Sequence, residues 1–399
     1  MHLALDLGKY PALMVMAIAV LASLLAQVRV GAVLVPVVVW EMVLGMLVGP
    51  HGFGLAHSGE LLDWFGHRAG LAGLFFMAGV ELDLRKVKGR PLTLAVAGWT
   101  LSLALAVVAT STLHWLPAVH IPMLVALVLT TTALGTFMPM LRDSGRLDSR
   151  FGSMVIAAGA MGEFAPVVLV SLLLTHVYGT WEEIALTLVF VAVACVAAAV
   201  ALGARPPRFL SLLERTMHSS TQLPVLLSLL LLTAFITLSQ AFGLETVLGA
   251  FSAGMVVGLA SRDQAAADFR HKMEAVCFGF LVPFFFVVSG MNLDMAALVR
   301  RPKNILLTVL FLALFLLVRG SPVVLYRRDL PKEEWLPFAL YSATTLSMVV
   351  AITDIGVQTH RLQPDIADAL VAAGLLSVLL WPTIAGGLLS SAKQGPMCG

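Results

Sequence analysis

The chain has 399 residues, 59% of them hydrophobic and only 12% charged, with a mean hydropathy of +0.95. Soluble domains carry about 25% charged residues, so a soluble enzyme, a secreted disulfide scaffold, a disordered tail and a nucleic-acid binder are excluded as whole-chain readings. The composition is that of an all-α polytopic membrane protein, whose partner is the lipid bilayer. A net charge of +2 names no anionic ligand. Cys195, Cys277 and Cys398 lie far apart with no metal-ligand spacing, so neither a disulfide nor a zinc site is indicated.

A spanning helix needs about 20 apolar residues. In chain order, thirteen stretches meet or approach that length: 10–28, 33–50, 68–83, 91–113, 120–141, 152–177, 183–204, 222–241, 243–260, 275–296, 303–325, 333–357 and 365–389. The first follows the lone Lys9 with no convincing cleavage site, and reads as a span and not a removed signal peptide. Beyond Trp381 no further domain is expected. Basic residues in short loops set the orientation. Arg85, Lys86, Lys88 and Arg90 follow span 3, Arg142, Arg146 and Arg150 follow span 5, and Arg205, Arg208 and Arg215 follow span 7. Arg262, Arg270 and Lys272 follow span 9, and Arg327, Arg328 and Lys332 follow span 11. The N-terminus is thereby placed outside and the C-terminus, with Lys393, in the cytoplasm. Arg300, Arg301 and Lys303 after span 10 run against this pattern.

An internal repeat is legible. FFMAGVELD at 75–83 matches FVVSGMNLD at 286–294 at an offset of 211; TTALG at 131–135 matches ATTLS at 343–347 at 212; GMLVG at 45–49 matches GMVVG at 254–258 at 209. The halves are displaced by an odd number of spans, which predicts inverted repeats of the kind secondary transporters use, with interrupted helices at the midplane. Two interruptions are predicted. In span 5, Thr130, Thr131, Thr132, Gly135, Thr136 and Pro139 fall near the bilayer centre, and Pro139 cannot donate to the Gly135 carbonyl. Ser342, Thr344, Thr345 and Ser347 take the matching place in span 12. Against this stands the blander reading that each Ser or Thr bonds back to its own helix.

Charges inside spans are the sharper signal. Glu163 is the only formal charge between Arg150 and Glu182, in mid-membrane, where a charge costs about 2.5–3.5 kcal/mol and serves an ion pathway or an internal pair. Pro166 frees the Gly162 carbonyl, so Glu163 and Gly162 together offer a partial oxygen shell for a monovalent cation. Burial favours the neutral acid, so a proton competes with that cation. Arg319, alone between Lys303 and Arg327, reads as a counter-charge to helix ends or to Glu163, a role lysine would also fill.

Several segments together resemble the cation:proton antiporter superfamily, in its bacterial branch of sodium/proton antiporters and potassium-efflux systems. They are EMVLGMLVGPHGFGL at 41–55, FFMAGVELDLRKVK at 75–88, TTTALGTFMPMLRDSGRLDSRFG at 130–152, AAGAMGEFAPVVLV at 157–170, VLGAFSAGMVVG at 247–258 and FLVPFFFVVSGMNLD at 280–294. The resemblance runs from about residue 12 to 389. It implies a sodium/proton antiporter-like fold in a homodimer of the cell (inner) membrane, with two broken helices crossing at Gly135, Pro139, Thr344 and Thr345. It implies ion binding and proton coupling at Glu163 with Thr131, Thr132 and Gly162, and charge compensation by Arg319. Residues 1–90 and 222–299 become scaffold and dimerisation helices, and 91–178 and 300–390 the moving core. Residues 179–221 become a linker helix and cytoplasmic loop, and 391–399 a short cytoplasmic tail. The family's first acidic position is Gly162 here, and a single acid goes with electroneutral exchange. The implied activity is exchange of a monovalent cation (sodium, with potassium or lithium as alternatives) for protons, with no cofactor beyond the ions carried. The competing reading is a scaffold repurposed to export an organic cation or ionophore, or to act as a membrane-embedded enzyme.

Other charged residues carry less. His51, His57 and His67 read as a solvated outer loop, Glu41 as structural at a span entrance, and Glu81 with Asp83 as a membrane-surface cluster.

Overall fold

The computed structural model describes residues 11–27, 29–30, 33–56, 59–81, 89–112, 122–134, 137–138, 141, 146–147, 149–175, 189–190, 192–194, 196, 222–242, 244, 246–260, 264–294 and 302–393. Most of 179–221, including most of expected span 7, lies outside them, as do Asp83, His57, Cys195, Cys398 and the basic residues Arg85, Lys86, Lys88, Arg142, Arg262, Arg300 and Arg301.

The described chain is helical apart from one small hairpin that the all-α expectation omitted: β1 (Arg29–Val30) pairs antiparallel with β2 (Val33–Leu34). Helix α1 (Pro11–Leu25) precedes it and α2 (Val37–Val48) follows. A helical turn at Glu60–Asp63 and a π-wound stretch at Trp64–Gly70 lead into α3 (Leu71–Glu81). Next come α4 (Arg90–Thr112), α5 (Pro122–Leu129), α6 (Arg150–Thr175), α7 (Leu223–Ala241) and α8 (Thr246–Ala260). Helix α9 (Gln264–Val276) runs through a π-wound turn, Cys277–Leu281, into α10 (Val282–Asn292). The last are α11 (Pro302–Gly320), α12 (Trp335–Ser342), α13 (Ser347–Gln358) and α14 (Pro364–Lys393).

Among the described residues seven helices are long and apolar enough to cross a membrane, with shorter apolar helices at Pro11–Leu25, Val37–Val48 and Thr246–Leu259. Among the described residues, expected spans 1, 2 and 9 are thus short helices. One boundary moves for a clear reason. Arg270 and Lys272, expected in a loop, lie in α9, because Gln, Ala, Arg, Lys, Met and Glu are all good helix formers and extend span 10 backwards.

Two compact units form. The first takes Met1–Ala19, Ala56–Leu84 and Val167–Val288. Its centre is α3 laid directly on α8: a Cβ on Gly79 would strike the Phe251 carbonyl, one on Gly254 the Phe76 carbonyl, and one on Gly258 would lie 2.6 Å from the Val80 carbonyl. Only glycine permits that backbone approach. Helix α7 closes on α8 in the same way, through Gly249 against Phe235.

The second unit takes Val20–Leu55, Arg85–Pro166 and Ser289–Gly399. Its apolar core gathers Phe137, Phe151, Tyr326, Phe338, Tyr341 and Leu389. Here α2 meets the end of α10: a Cβ on Gly290 would strike the Met42 carbonyl, and one on Gly49 would lie 2.6 Å from Met291 Cα. These contacts repeat those of the first unit. Gly79 and Gly290, 211 apart, face Phe251 and Met42, 209 apart; Gly258 and Gly49, 209 apart, face Val80 and Met291, 211 apart.

Candidate functional site

Two helices of the second unit break where their threonines cluster. Helix α5 ends at Leu129 and residues 131–133 are non-helical; α12 ends at Ser342 and α13 begins at Ser347. The two breaks are joined. The Ala133 N–H donates to the Thr344 carbonyl at 2.8 Å, and the Thr132 hydroxyl donates to the Ser342 carbonyl at 2.7 Å. The Thr131 hydroxyl spends its proton on the Val128 carbonyl at 2.7 Å, so Thr345 is the donor in the 2.7 Å Thr131–Thr345 contact. Ser377 on α14 accepts the Thr345 N–H at 3.0 Å and lies 2.8 Å from the Thr345 carbonyl. Thr130 and Thr344 do return to their own helices, at Leu127 and Leu340. Gly135 and Pro139, expected at the same crossing, lie outside the described residues.

Helix α6 abuts this crossing at Gly162. Pro166 sits inside α6 and leaves the Gly162 carbonyl without its helical donor. The sequence reading offered that oxygen as a free ion ligand. It accepts the Thr132 N–H at 2.9 Å, because an orphaned carbonyl beside an unwound segment pairs with the nearest orphaned N–H, and it keeps its second lone pair. Glu163, the next residue on α6, is half-buried and engaged with its neighbours.

Arg319, in the last turn of α11, is buried and grips three elements at once. Nε donates to Thr132 Oγ1 at 2.9 Å, Nη2 to the Ala158 carbonyl at 2.9 Å and Nη1 to Ser102 Oγ at 3.4 Å. Ser102 on α4 passes its own proton to the Val318 carbonyl at 2.9 Å. A Cβ on Gly162 would fall 2.5 Å from Thr132 Oγ1 and 2.6 Å from Arg319 Nη2. The absent side chain at Gly162 is thus the space the guanidinium fills. Three nitrogens bonding in three directions is a task for arginine's planar fork and not for lysine's single ammonium.

Elsewhere in this unit charges pin the helix ends. Asp329 takes Arg90 Nε at 2.7 Å and Arg90 Nη2 at 2.8 Å, and also pairs with Arg150. The Asp329 carboxyl is held below its ordinary range, first by the Arg90 hydrogen bond, with desolvation opposing and Arg150 assisting. Arg146 pairs with Glu334 at 2.6 Å. His51, expected in a solvated loop, lies 3.5 Å from Asp294, whose backbone N–H reaches Asp368. His67 belongs to the π-wound stretch and is engaged there. Glu41 lies within α2 and is only 3% exposed.

The structure brings together Thr131, Thr132, Gly162, Arg319, Thr344 and Thr345. It adds Ser102, Ser377 and the Ala158 carbonyl, which no sequence signal marks, since an isolated serine or alanine in an apolar span is ordinary.

Comparison with known proteins supplies the context for this geometry. A family model described as "Sodium/hydrogen exchanger, transmembrane" matches residues 16–390. The protein YjbQ of Bacillus subtilis is 25% identical over 370 residues, covering 87% of this chain; the chain spans 58% of the length of YjbQ. The Na(+)/H(+)-K(+) antiporter GerN of Bacillus cereus is 24% identical over 360 residues, 89% of this chain and 90% of GerN. Among solved structures, the sodium proton antiporter MjNhaP1 of Methanocaldococcus jannaschii shares the fold. Its TM-score is 0.67 at 18% identity, over 97% of this chain and 100% of that one.

Proposed function

The chain belongs to the sodium/hydrogen exchanger transmembrane family, a family of membrane transporters and not enzymes, and from that premise we propose that it exchanges a monovalent cation for protons by alternating access. Sodium is the first candidate and potassium or lithium the others; GerN, similar over 89% of the chain, carries sodium and potassium in its name. Glu163 binds either the proton or the cation. Arg319 keeps its proton at any physiological pH and holds the crossing to α6. No cofactor takes part beyond the ions carried.

One observation carries this reading: the two broken segments are bonded to each other at Ala133–Thr344 and Thr131–Thr345, and to α6 at Gly162, one residue from Glu163. That adjacency supports Glu163 as the carboxylate for an ion that must be stripped of water and released again. The recurrence of the glycine contacts at matching offsets supports an inverted repeat behind a thirteen-span plan. The second compact unit holds most of the proposed moving core, 91–178 and 300–390, together with α2. Residues 1–90 and 222–299 supply the proposed scaffold of a homodimer in the inner membrane, N-terminus outside and C-terminus cytoplasmic.

With one titrating carboxylate at the exchange site, both loaded crossings bear the same charge, so a full cycle moves none. An electrogenic cycle would feel about 2.3 kcal/mol per charge at about 100 mV; this one is indifferent to voltage. The test is a proteoliposome assay in which sodium, lithium or potassium pulses drive proton movement, with the membrane clamped at zero or at about −100 mV. At least one cation drives voltage-independent proton movement in the wild type, and Glu163→Gln abolishes it while remaining a folded dimer. Wild-type turnover in Glu163→Gln overturns the site. Acceleration by voltage overturns the one-carboxylate cycle. Silence with all three cations moves the reading to an exporter of an organic cation or ionophore, or to a membrane-embedded enzyme.

A further inference from the structure

The crossing does not use every buried acid of the second unit. Glu41 is the one titratable residue of α2, is 3% exposed, and has no hydrogen-bond or ion-pair partner among the described residues. Two more polar groups of the same helix pair are buried and unpartnered: Trp40 Nε1 on α2 and Ser289 Oγ on α10. The seam between these helices is closed backbone to backbone, by Gly290 against the Met42 carbonyl and by Gly49 against Met291. No side chain or water fits at those two points. Helix α10 offers no counter-charge: Val282–Asn292 contains no titratable residue, and the first beyond it, Asp294, faces His51 at 3.5 Å.

An isolated carboxylate in such a place is far costlier than the neutral acid. When α2 and α10 part, water becomes available to a carboxylate, and the preference reverses. We propose that Glu41 is a second proton-binding site, distinct from the exchange carboxylate, which holds its proton while α2 lies against α10 and releases it when they separate. Proton release at Glu41 and opening of this seam are then one equilibrium, favoured as pH rises. The inference rests on the burial of α2 and not on the exchange chemistry, and its test needs no ion gradient.

Hydrogen–deuterium exchange of the α2 amides, 37–48, is followed in the full chain in lipid nanodiscs between acid and alkaline pH and corrected for intrinsic rate. In the wild type the opening of α2 grows at least tenfold across the range. In Glu41→Gln, which mimics the protonated acid at every pH, it stays flat. An equal pH dependence in both proteins overturns the proposal. If Glu41→Gln does not fold, Glu41→Asp replaces it; the shorter acid keeps the transition and displaces its midpoint, and an unmoved midpoint overturns the proposal equally. Infrared difference spectra give a second reading, in which a protonated-carboxyl band lost at alkaline pH disappears in Glu41→Gln. Survival of that band unchanged in the variant counts against Glu41. A failure of Glu163→Gln to affect exchange leaves both readouts standing.

Discussion

Replacing Gly162 by alanine tests the crossing with one methyl group. The new Cβ lies 2.5 Å from Thr132 Oγ1, 2.6 Å from Arg319 Nη2 and 2.8 Å from Thr132 Cβ, short of ordinary contact by several tenths of an ångström at each. Neither neighbour retreats freely. Thr132 is bonded through its N–H to Gly162 itself and through its hydroxyl to Ser342, and the guanidinium is bonded to Ala158. Overpacking of this kind costs about 1–3 kcal/mol, and a lost hydrogen bond to a buried charge about 1.5–3 kcal/mol. Alanine returns about 1 kcal/mol of helix propensity. The net loss is about 2–4 kcal/mol, read as a fall of about 2–5 °C in Tm for the purified protein, with weakened cation affinity because the breaks are displaced from Glu163. Gly159→Ala is the internal control. Its Cβ meets Leu134 Cδ1 at 2.9 Å and Phe137 Cζ at 3.2 Å, the far ends of side chains that can turn aside, so its loss is much smaller. An unchanged Tm and unchanged cation affinity in Gly162→Ala would refute the packing of the crossing on α6.

Arg319→Ala strands Thr132, Ser102 and the Ala158 carbonyl together, and lowers thermal stability more than any other single change at the crossing. Arg319→Lys keeps the charge but not the three-way bonding, so its Tm falls between wild type and alanine; a lysine variant as stable as wild type would reduce the role of Arg319 to charge alone. The carboxyl of Asp329 titrates below its unfolded value, near about 3.9, so its contribution to stability is fully present above that pH and is lost as pH falls through the depressed folded value. Melting curves taken between neutral and strongly acid pH therefore decline toward acid in the wild type. They decline less steeply in Asp329→Asn, which starts lower at neutral pH; parallel curves would remove the Arg90–Asp329–Arg150 clamp from the account.

Where the sequence was legible, local chemistry forced the outcome. Clustered threonines and a matching Ser/Thr run mark both helix breaks, because β-branched and hydroxylated residues weaken a helix and offer it competing bonds. Paired glycines at repeat offsets mark both close helix seams, because only hydrogen lets two backbones touch. The failures share a cause as well. That Pro166 frees the Gly162 carbonyl was readable from spacing alone; that the Thr132 N–H takes it depends on how a segment thirty residues away folds back. Arg90 and Arg150 served the sequence reading only as markers of orientation, since their shared partner Asp329 is more than 170 residues distant. The burial of Glu41 is not readable either, because hydropathy gives no register between one helix and the next.

The hydrogen-bond inventory narrows where a cation can sit in the proposed cycle. Thr132 Oγ1 donates to Ser342 and accepts from Arg319 Nε, so a cation on that oxygen would stand beside a guanidinium already bonded to it. Thr131 Oγ1 differs: it donates to Val128 and accepts only from Thr345, which is neutral. One of its lone pairs remains, with no positive group bonded to the oxygen. The Gly162 carbonyl likewise keeps one lone pair beyond the Thr132 N–H. Thr132 is the residue that holds Arg319, and in the proposed cycle Thr131 is the hydroxyl left to share the ion with Glu163. Thr131→Val should then weaken cation affinity with little change in Tm, whereas Thr132→Val should lower Tm first, because it leaves a buried guanidinium N–H without an acceptor.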